Sequence, residues 1–400
     1  MKANIELLDY IREKALDDRT QEIISRFVEI ASSFGKKSNL GLRLAAIFDL
    51  LISCQYYNKI ANRGWTYCGK GSPMMFYPYT NVCPRCLGKK EFVFAKANKP
   101  ESGQIGQFTT EILCEMLVSL FRLNGRCVNV YKASEPIDVI FHEPLTGMMI
   151  ISEVKAAPLL TIPISVACEQ ITEEVEGNLQ TSAHCSLDNP FIHKSILSFY
   201  FPKTKKHKNA VFALDINWNE SSPIFEAALR LSLKSSEFLT YYFSFWEEAY
   251  RAYENKEREN QVFWITNGCG LPSPRPDNWP QRRTGGYESV SDAKSSVGMD
   301  RTDDIKKGIY QVLKLGAEFK PTYDGIKTAL ISNVHAVRHS DEYLKCIKDI
   351  IWTIDETRAI CNWLDLPKNT PLYNLFDGVI AFTKSDIRDS EIKDLFNWAL

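Results

Sequence analysis

The chain has no run approaching the roughly 20 apolar residues that a membrane-spanning helix needs, no Gly-x4-Gly-Lys-Ser/Thr loop, and no His-Glu-x-x-His motif, the one His-x3-His pair, His335 and His339, lacking the glutamate. The first absence excludes an integral membrane helix, the second a phosphate-loop ATP motor, and the third the common histidine-based zinc hydrolase; no nucleotide cofactor is expected. Net charge is also nearly absent, at -1. Attraction of a polyanion must therefore come from local basic clusters, not from the field of the whole molecule. The opening stretch MKANIELLDYIREKALDD lacks the apolar centre of a secretion signal, so a cytoplasmic protein is expected.

What is present is an ordinary globular composition, 44% hydrophobic and 24% charged over 400 residues, long enough for two or three packed subdomains. Apolar residues recur at helical spacing across IELLDYIREKAL, QEIISRFVEIASSF and LRLAAIFDLLISCQYY, predicting a helical N-terminal unit over residues 1–62. Residues 63–100 change character, with Gly, Pro, aromatics and cysteines, and read as a small irregular module with a linker. Residues 101–400 read as an α/β core carrying insertions. In that core GQFTTEILCEMLVSLFRLNG predicts a helix, and CVNVYK, DVIFHE and MMIISEVKAA predict three strands, with PLTG turning the last pair. Further on, IPISVACEQITEEVEGNLQ predicts a helix, ILSFYFP, NAVFALDIN and VFWITNG predict strands, and residues 222–259 a long aromatic helix or helix pair.

Pro136-Ile137-Asp138 opens one of these strands and Glu153-Val154-Lys155 ends the next. Side chains two apart on a strand share a face, so Glu153 and Lys155 point together, and Asp138 on the neighbouring strand can join them. Two carboxylates suit a hard divalent cation, and a cation with an adjacent lysine suits hydrolysis of a phosphodiester. Glu111, on the helix before, is a further carboxylate. The order helix with Glu, strand, strand with Asp, turn, strand ending in Glu-x-Lys resembles the PD-(D/E)XK nuclease superfamily over about residues 104–160. The resemblance implies a restriction-endonuclease-like core, a mixed sheet flanked by helices. It also implies Mg2+ held by Asp138 and Glu153, with Lys155 at the water or the phosphate. A motor-free chain of this size resembles the type II restriction endonucleases, which implies sequence-specific cleavage of double-stranded DNA by a homodimer. Two other readings stay open: a non-catalytic zinc-containing nucleic-acid-binding protein, and a structure-specific repair or mobile-element nuclease.

A second acid-x-Lys element, Asp292-Ala293-Lys294, follows Pro276-Asp277 and precedes a helix with Asp303, Asp304 and Gln311. It is the alternative active site. Of the eleven cysteines, Cys83 and Cys86 form a C-x2-C knuckle of the kind that grips tetrahedral zinc, with Cys68 as third ligand and Cys54 as fourth. The expected role is a structural Zn2+ that folds its own loop. Basic clusters at KTKKHK (203–208), at Lys306 with Lys307, and in the loop with Arg282 and Arg283 are candidate DNA contacts, the last for base edges.

Overall fold

The computed structural model describes residues 7, 9–12, 16–36, 39–60, 66–68, 74–76, 102–162, 164–166, 172–175, 178–181, 196–201, 203–217, 219–257, 259–260, 262–263, 266–267, 297–323, 325–353 and 366–399. Two compact units share the chain discontinuously: one takes residues 1–15, 113–157 and 298–400, the other residues 16–112 and 158–297. No described helix is long and apolar enough to cross a membrane.

The first unit is built on a mixed six-stranded sheet. Strands β1 (Asn129–Lys132), β2 (Val139–Glu143) and β3 (Met148–Val154) form an antiparallel meander. The β2–β3 turn closes through Gly147, whose φ of 74° is one that only glycine adopts readily, and its N–H bonds to Glu143 O at 2.9 Å. Helix α1 (Thr302–Phe319) follows, then β4 (Ile326–Ser332), β5 (Gly378–Ala381), β6 (Asp386–Ile387) and the short helix α2 (Ser390–Leu395). Strands β3, β4 and β5 run parallel, and β6 closes the edge antiparallel. All seven residues of β3 are buried, which is the pattern of a central strand covered on both faces and explains why MMIIS is continuously apolar.

Helix α1 covers one of those faces. Its buried positions, Ile305, Gly308, Val312, Leu315 and Phe319, recur at three- and four-residue spacing and form one stripe. Leu315 and Phe319 pack with Ile140, Met149, Ile151 and Ile326, while Ile305 and Val312 pack with Leu330 and Val379. On the opposite face Phe141 meets Phe121 and Phe396 edge-on, with ring centroids 6.2 and 5.6 Å away. The unit is thus a mixed sheet between helical layers, as the sequence leads one to expect.

In the second unit, helix Leu40–Ile60 is buried continuously from Leu44 to Tyr56 and packs against helices Asp18–Ser33, Pro223–Lys234 and Ser236–Glu254. A five-stranded antiparallel sheet completes it, its strands Ile196–Phe201 and Ala210–Asp215 setting Phe201 and Phe212 in tilted and edge-on contact with Phe238 and Tyr241. Asp49, fully buried, accepts hydrogen bonds from the backbone N–H groups of Leu159 (3.2 Å) and Leu160 (2.8 Å) and from the Trp246 indole (2.6 Å). Burial raises its carboxyl well above the usual range, against the pull of those three donors.

Two local expectations are corrected. Where a helix is expected across IPISVACEQITEEVEGNLQ, the chain forms short strands Ile164–Val166, Thr172–Val175 and Asn178–Thr181. The β-branched Ile, Val and Thr at those positions prefer pleated backbone, and tertiary pairing decides a weak periodicity. In VFWITNG, Val262 and Phe263 are helical and Thr266 makes only an isolated bridge to Leu160. The Asn260 side chain accepts the Val262 N–H at 3.3 Å and turns the chain before a strand can start.

Candidate active site

Val139 pairs with Ser152 across β2 and β3, so the next step outward sets Asp138 opposite Glu153. Asp138 is fixed in its main chain on both sides, its N–H donating to Ser152 O (3.1 Å) and its carbonyl accepting from Ala133 N (2.8 Å). Its carboxylate accepts the Val154 N–H through Oδ2 at 2.9 Å. Ile137, fully buried in the core under α1, anchors the approach. Glu153 is 4% exposed, and Lys155, half-buried, makes an ion pair through Nζ with Glu153 Oε1. The Lys155 N–H donates to Ile331 O at 2.9 Å, which ties the end of β3 to β4. Gly308 of α1 lies directly over this place: a Cβ there would stand 2.9 Å from Leu330 Cδ1 and 3.4 Å from Lys155 Cγ. All three residues singled out from the sequence therefore come together at the C-terminal end of the central strand.

The electrostatics of Glu153 are strained. Burial first, and then the negative charge of Asp138, push its carboxyl up to about 7, while the Lys155 ammonium pulls the other way. One cation between two carboxyls leaves a local excess of negative charge and oxygen donors, which is what a hard divalent ion takes. Asp138 and Glu153 are the side chains able to hold one. Among the described residues no group of three or more His, Cys, Asp or Glu side chains is placed to bind a metal.

The remaining expectations fall out as follows. Glu111 is buried on helix Ser102–Leu123, with the Gln107 side chain donating to it at 3.0 Å, and belongs to the compact unit that does not contain β2 and β3. Cys54 is a fully buried free thiol whose pKa burial raises. Cys68 sits in the short strand Thr66–Cys68. Cys83, Cys86, Arg282, Arg283, Asp277, Asp292 and Lys294 lie outside the described residues. Gln311 is on α1, its Oε1 buried and without a hydrogen-bond partner among the described residues. Lys306 stands 5.2 Å from the centre of the Tyr343 ring.

One constellation escaped the sequence reading. His207 Nε2 lies 2.9 Å from Ser244 Oγ, and its Nδ1 lies 2.7 Å from Glu248 Oε2. Burial pushes Glu248 up, but hydrogen bonds from Thr204, His207 and Asn260 outweigh it and hold the carboxyl below its usual range. This has the connectivity of a serine, histidine, carboxylate relay, yet Ser244 is in the middle of helix Ser236–Glu254. Backbone N–H groups there are spent on the helix itself and cannot stabilise an oxyanion. The chain instead pins the KTKKHK loop to the helix, where Lys205 also faces Glu257 at 3.6 Å and Glu259 at 3.7 Å. Ser244 and Glu248, four apart on a helical face, with a histidine elsewhere, offered only a weak signal.

Comparison with known proteins found no matching family model, no matching curated protein and no matching solved structure.

Proposed function

We propose that the chain is a Mg2+-dependent endonuclease with a restriction-endonuclease-like core, cutting double-stranded DNA in a sequence-specific manner as a homodimer. In this reading Asp138, Glu153 and Lys155 are its active site. The observation that carries the reading is the company Glu153 keeps: a buried carboxyl at the end of the central strand faces a second carboxyl and a single ammonium. A purely structural ion pair has no use for the second acid, which costs stability. When bound, the metal supplies an electrophile for the phosphoryl oxygens and a water of lowered pKa. Asp138 and Glu153 would hold it, and Lys155 would orient the nucleophilic water or balance charge on the phosphoryl group. The proposal includes a structural Zn2+ on Cys54, Cys68, Cys83 and Cys86, testable as metal content of the purified protein, and DNA contacts from Arg282 and Arg283.

The test is digestion of a long natural duplex with Mg2+ by the wild type and by Asp138→Ala, Lys155→Ala, Asp292→Ala and Lys294→Ala variants, each checked for folding by circular dichroism. Discrete fragments that vanish with the first pair alone support the site. Loss with the second pair alone moves the active site to Asp292 and Lys294. A smear means cleavage without sequence recognition, and no cleavage by folded wild type favours a binding protein.

A further inference from the structure

The edge of the sheet that carries Glu153 continues, two strands away, into a pocket that the proposed site does not use. Glu153 pairs with Leu330 on β4, and Leu330 with Val379 on β5, so the three side chains share a row and a face. Val379 lines a pocket of about 540 Å³ together with His335, Ser340, Lys345, Lys348 and Lys384. Strand spacing sets Val379, in its wall, roughly 10 Å from Glu153. It lies beyond the carboxyl ends of parallel strands, the position where open α/β sheets take ligands: His335 follows β4 and Lys384 follows β5. The two loops are joined by the His335 N–H donating to Thr383 Oγ1 at 2.9 Å. Ser340 opens a single π-helical turn, Ser340–Leu344, a rare backbone form found mostly at functional sites.

The polar inventory of the pocket points to an anion. Its acids are already matched: Asp386 pairs with Lys348 (2.5 Å), Asp341 with Lys345 (3.6 Å) and Asp349 with Arg388 (4.0 Å). Lys384, exposed, has no carboxylate partner among the described residues. His335 is 7% exposed; its Nε2 lies 3.2 Å from Ser340 Oγ, and its Nδ1 is buried with no partner among the described residues. Burial and then Lys384 and Lys348 disfavour the charged imidazole, against Asp300 and Asp386. An anion seated between Lys384 and His335 would answer both the unmatched cation and the unpartnered ring nitrogen.

We propose that this pocket is a phosphate-binding subsite, seating a phosphate of the same DNA strand that enters the Asp138, Glu153, Lys155 site. The assignment of the phosphate to DNA rests on the nuclease reading; the anion site does not. A separation of roughly 10 Å is short enough for nearby phosphates of one strand to occupy both places. The subsite would fix the register of the strand, as phosphate contacts do, without reading its sequence.

The test is carried out on the full-length Asp138→Ala protein without divalent cation, so that nothing is cut. Imidazole resonances of histidine-labelled protein are followed during titration with inorganic phosphate, a short duplex with 5′-phosphate ends, and the same duplex with 5′-hydroxyl ends. The His335 signal is assigned with a His335→Asn variant. The expected result is a shift of His335 with phosphate, a rise of its pKa on saturation, and at least a ten-fold loss of phosphate affinity in Lys384→Glu, whose exposed side chain can change without unfolding the protein. A shift with both duplexes identifies the source as backbone phosphodiester, and a shift with the 5′-phosphate duplex alone identifies a terminal monoester. A His335 signal unmoved by every probe, or wild-type affinity in Lys384→Glu, overturns the site. A shift with free phosphate and neither duplex overturns the link to DNA. A phosphate-responsive His335, together with no cleavage by folded wild type in the Mg2+ digestion, sinks the nuclease reading and leaves the anion site standing.

Discussion

Two buried carboxyls, one in each compact unit, show how differently the same group can be treated. Asp49 is fully buried and meets three neutral N–H donors aimed at its oxygens. Glu153 is almost as buried, but meets another carboxyl and the ammonium of Lys155. Asp49 has the partners that make a buried acid a structural clamp, since neutral donors satisfy its lone pairs and bring no second charge. Glu153 sits in unbalanced charge that the fold must support from elsewhere, and such local conflict concentrates at working sites. The contrast predicts that damage at the first position is felt in folding and damage at the second in chemistry.

The largest expected effect breaks the contrast most directly. Asp138→Ala, Glu153→Gln and Lys155→Ala should each lower Mg2+-dependent cleavage per folded molecule by roughly 100-fold or more while the chain remains folded under the assay conditions. Timed digestion beside equilibrium unfolding reads both. Cleavage that survives all three would remove the functional half of the comparison.

Next in size is Asp49→Ala. It strands two backbone N–H groups and an indole N–H in the core and should cost about 3 kcal/mol or more of stability, with Asp49→Asn falling between it and wild type. The fraction that remains folded should cleave at the wild-type rate per folded molecule. A cleavage loss out of proportion to the folded fraction would mean Asp49 is not merely a clamp.

The third prediction is a pH dependence, smaller because Lys155 offsets part of it. Glu153 has a folded pKa of about 7, above its ordinary 4.5, so the folded chain holds that proton more tightly than the unfolded chain. Its contribution to stability is then fully present below about pH 4.5 and is lost as pH rises through about 7. Unfolding free energies of wild type minus Glu153→Gln, measured across that window, should fall with rising pH. Mg2+ should reduce the fall, because a bound cation favours the carboxylate. A flat difference would show that Glu153 is not strained by its neighbours.

How much of this was legible beforehand follows from how local each feature is. The meander β1, β2 and β3 and the meeting of Asp138, Glu153 and Lys155 rest on alternation and one glycine turn, all within a short stretch, and the sequence carried them. The parallel neighbours β4 and β5 come from far along the chain, so nothing near Glu153 announces that Leu330 and Val379 will share its row. The clamp at Asp49 depends on donors more than a hundred residues away, and an acid in the apolar run AAIFDLLIS gives no hint of them. The discontinuous make-up of the two units is invisible to any reading in sequence order. Likewise the KTKKHK cluster reads only as a candidate DNA contact until His207 is seen bonded to Glu248.

The smallest effect tests whether the site is positioned by the helix above it. At Gly308 an added methyl would meet Leu330 Cδ1 at 2.9 Å, closer than carbons pack, and Lys155 Cγ at 3.4 Å. Leu330 is fully buried and pairs with Glu153 across the strands, so it has little room to turn aside and α1 must lift. Alanine gains about 1 kcal/mol of helix propensity over glycine, while overpacking costs about 1–3 kcal/mol. The net loss of stability in Gly308→Ala should therefore be only about 1 kcal/mol. Cleavage should fall further, roughly ten-fold, because small displacements of a positioned lysine are expensive in rate. Adding Leu330→Val makes room for the methyl and should recover most of the rate. The recovery, read as a coupling between the two substitutions, separates positioning from general weakening of the fold. If Gly308→Ala cleaves as well as wild type, α1 does not set Lys155, and the strained pair at the end of β3 is held by its strands alone.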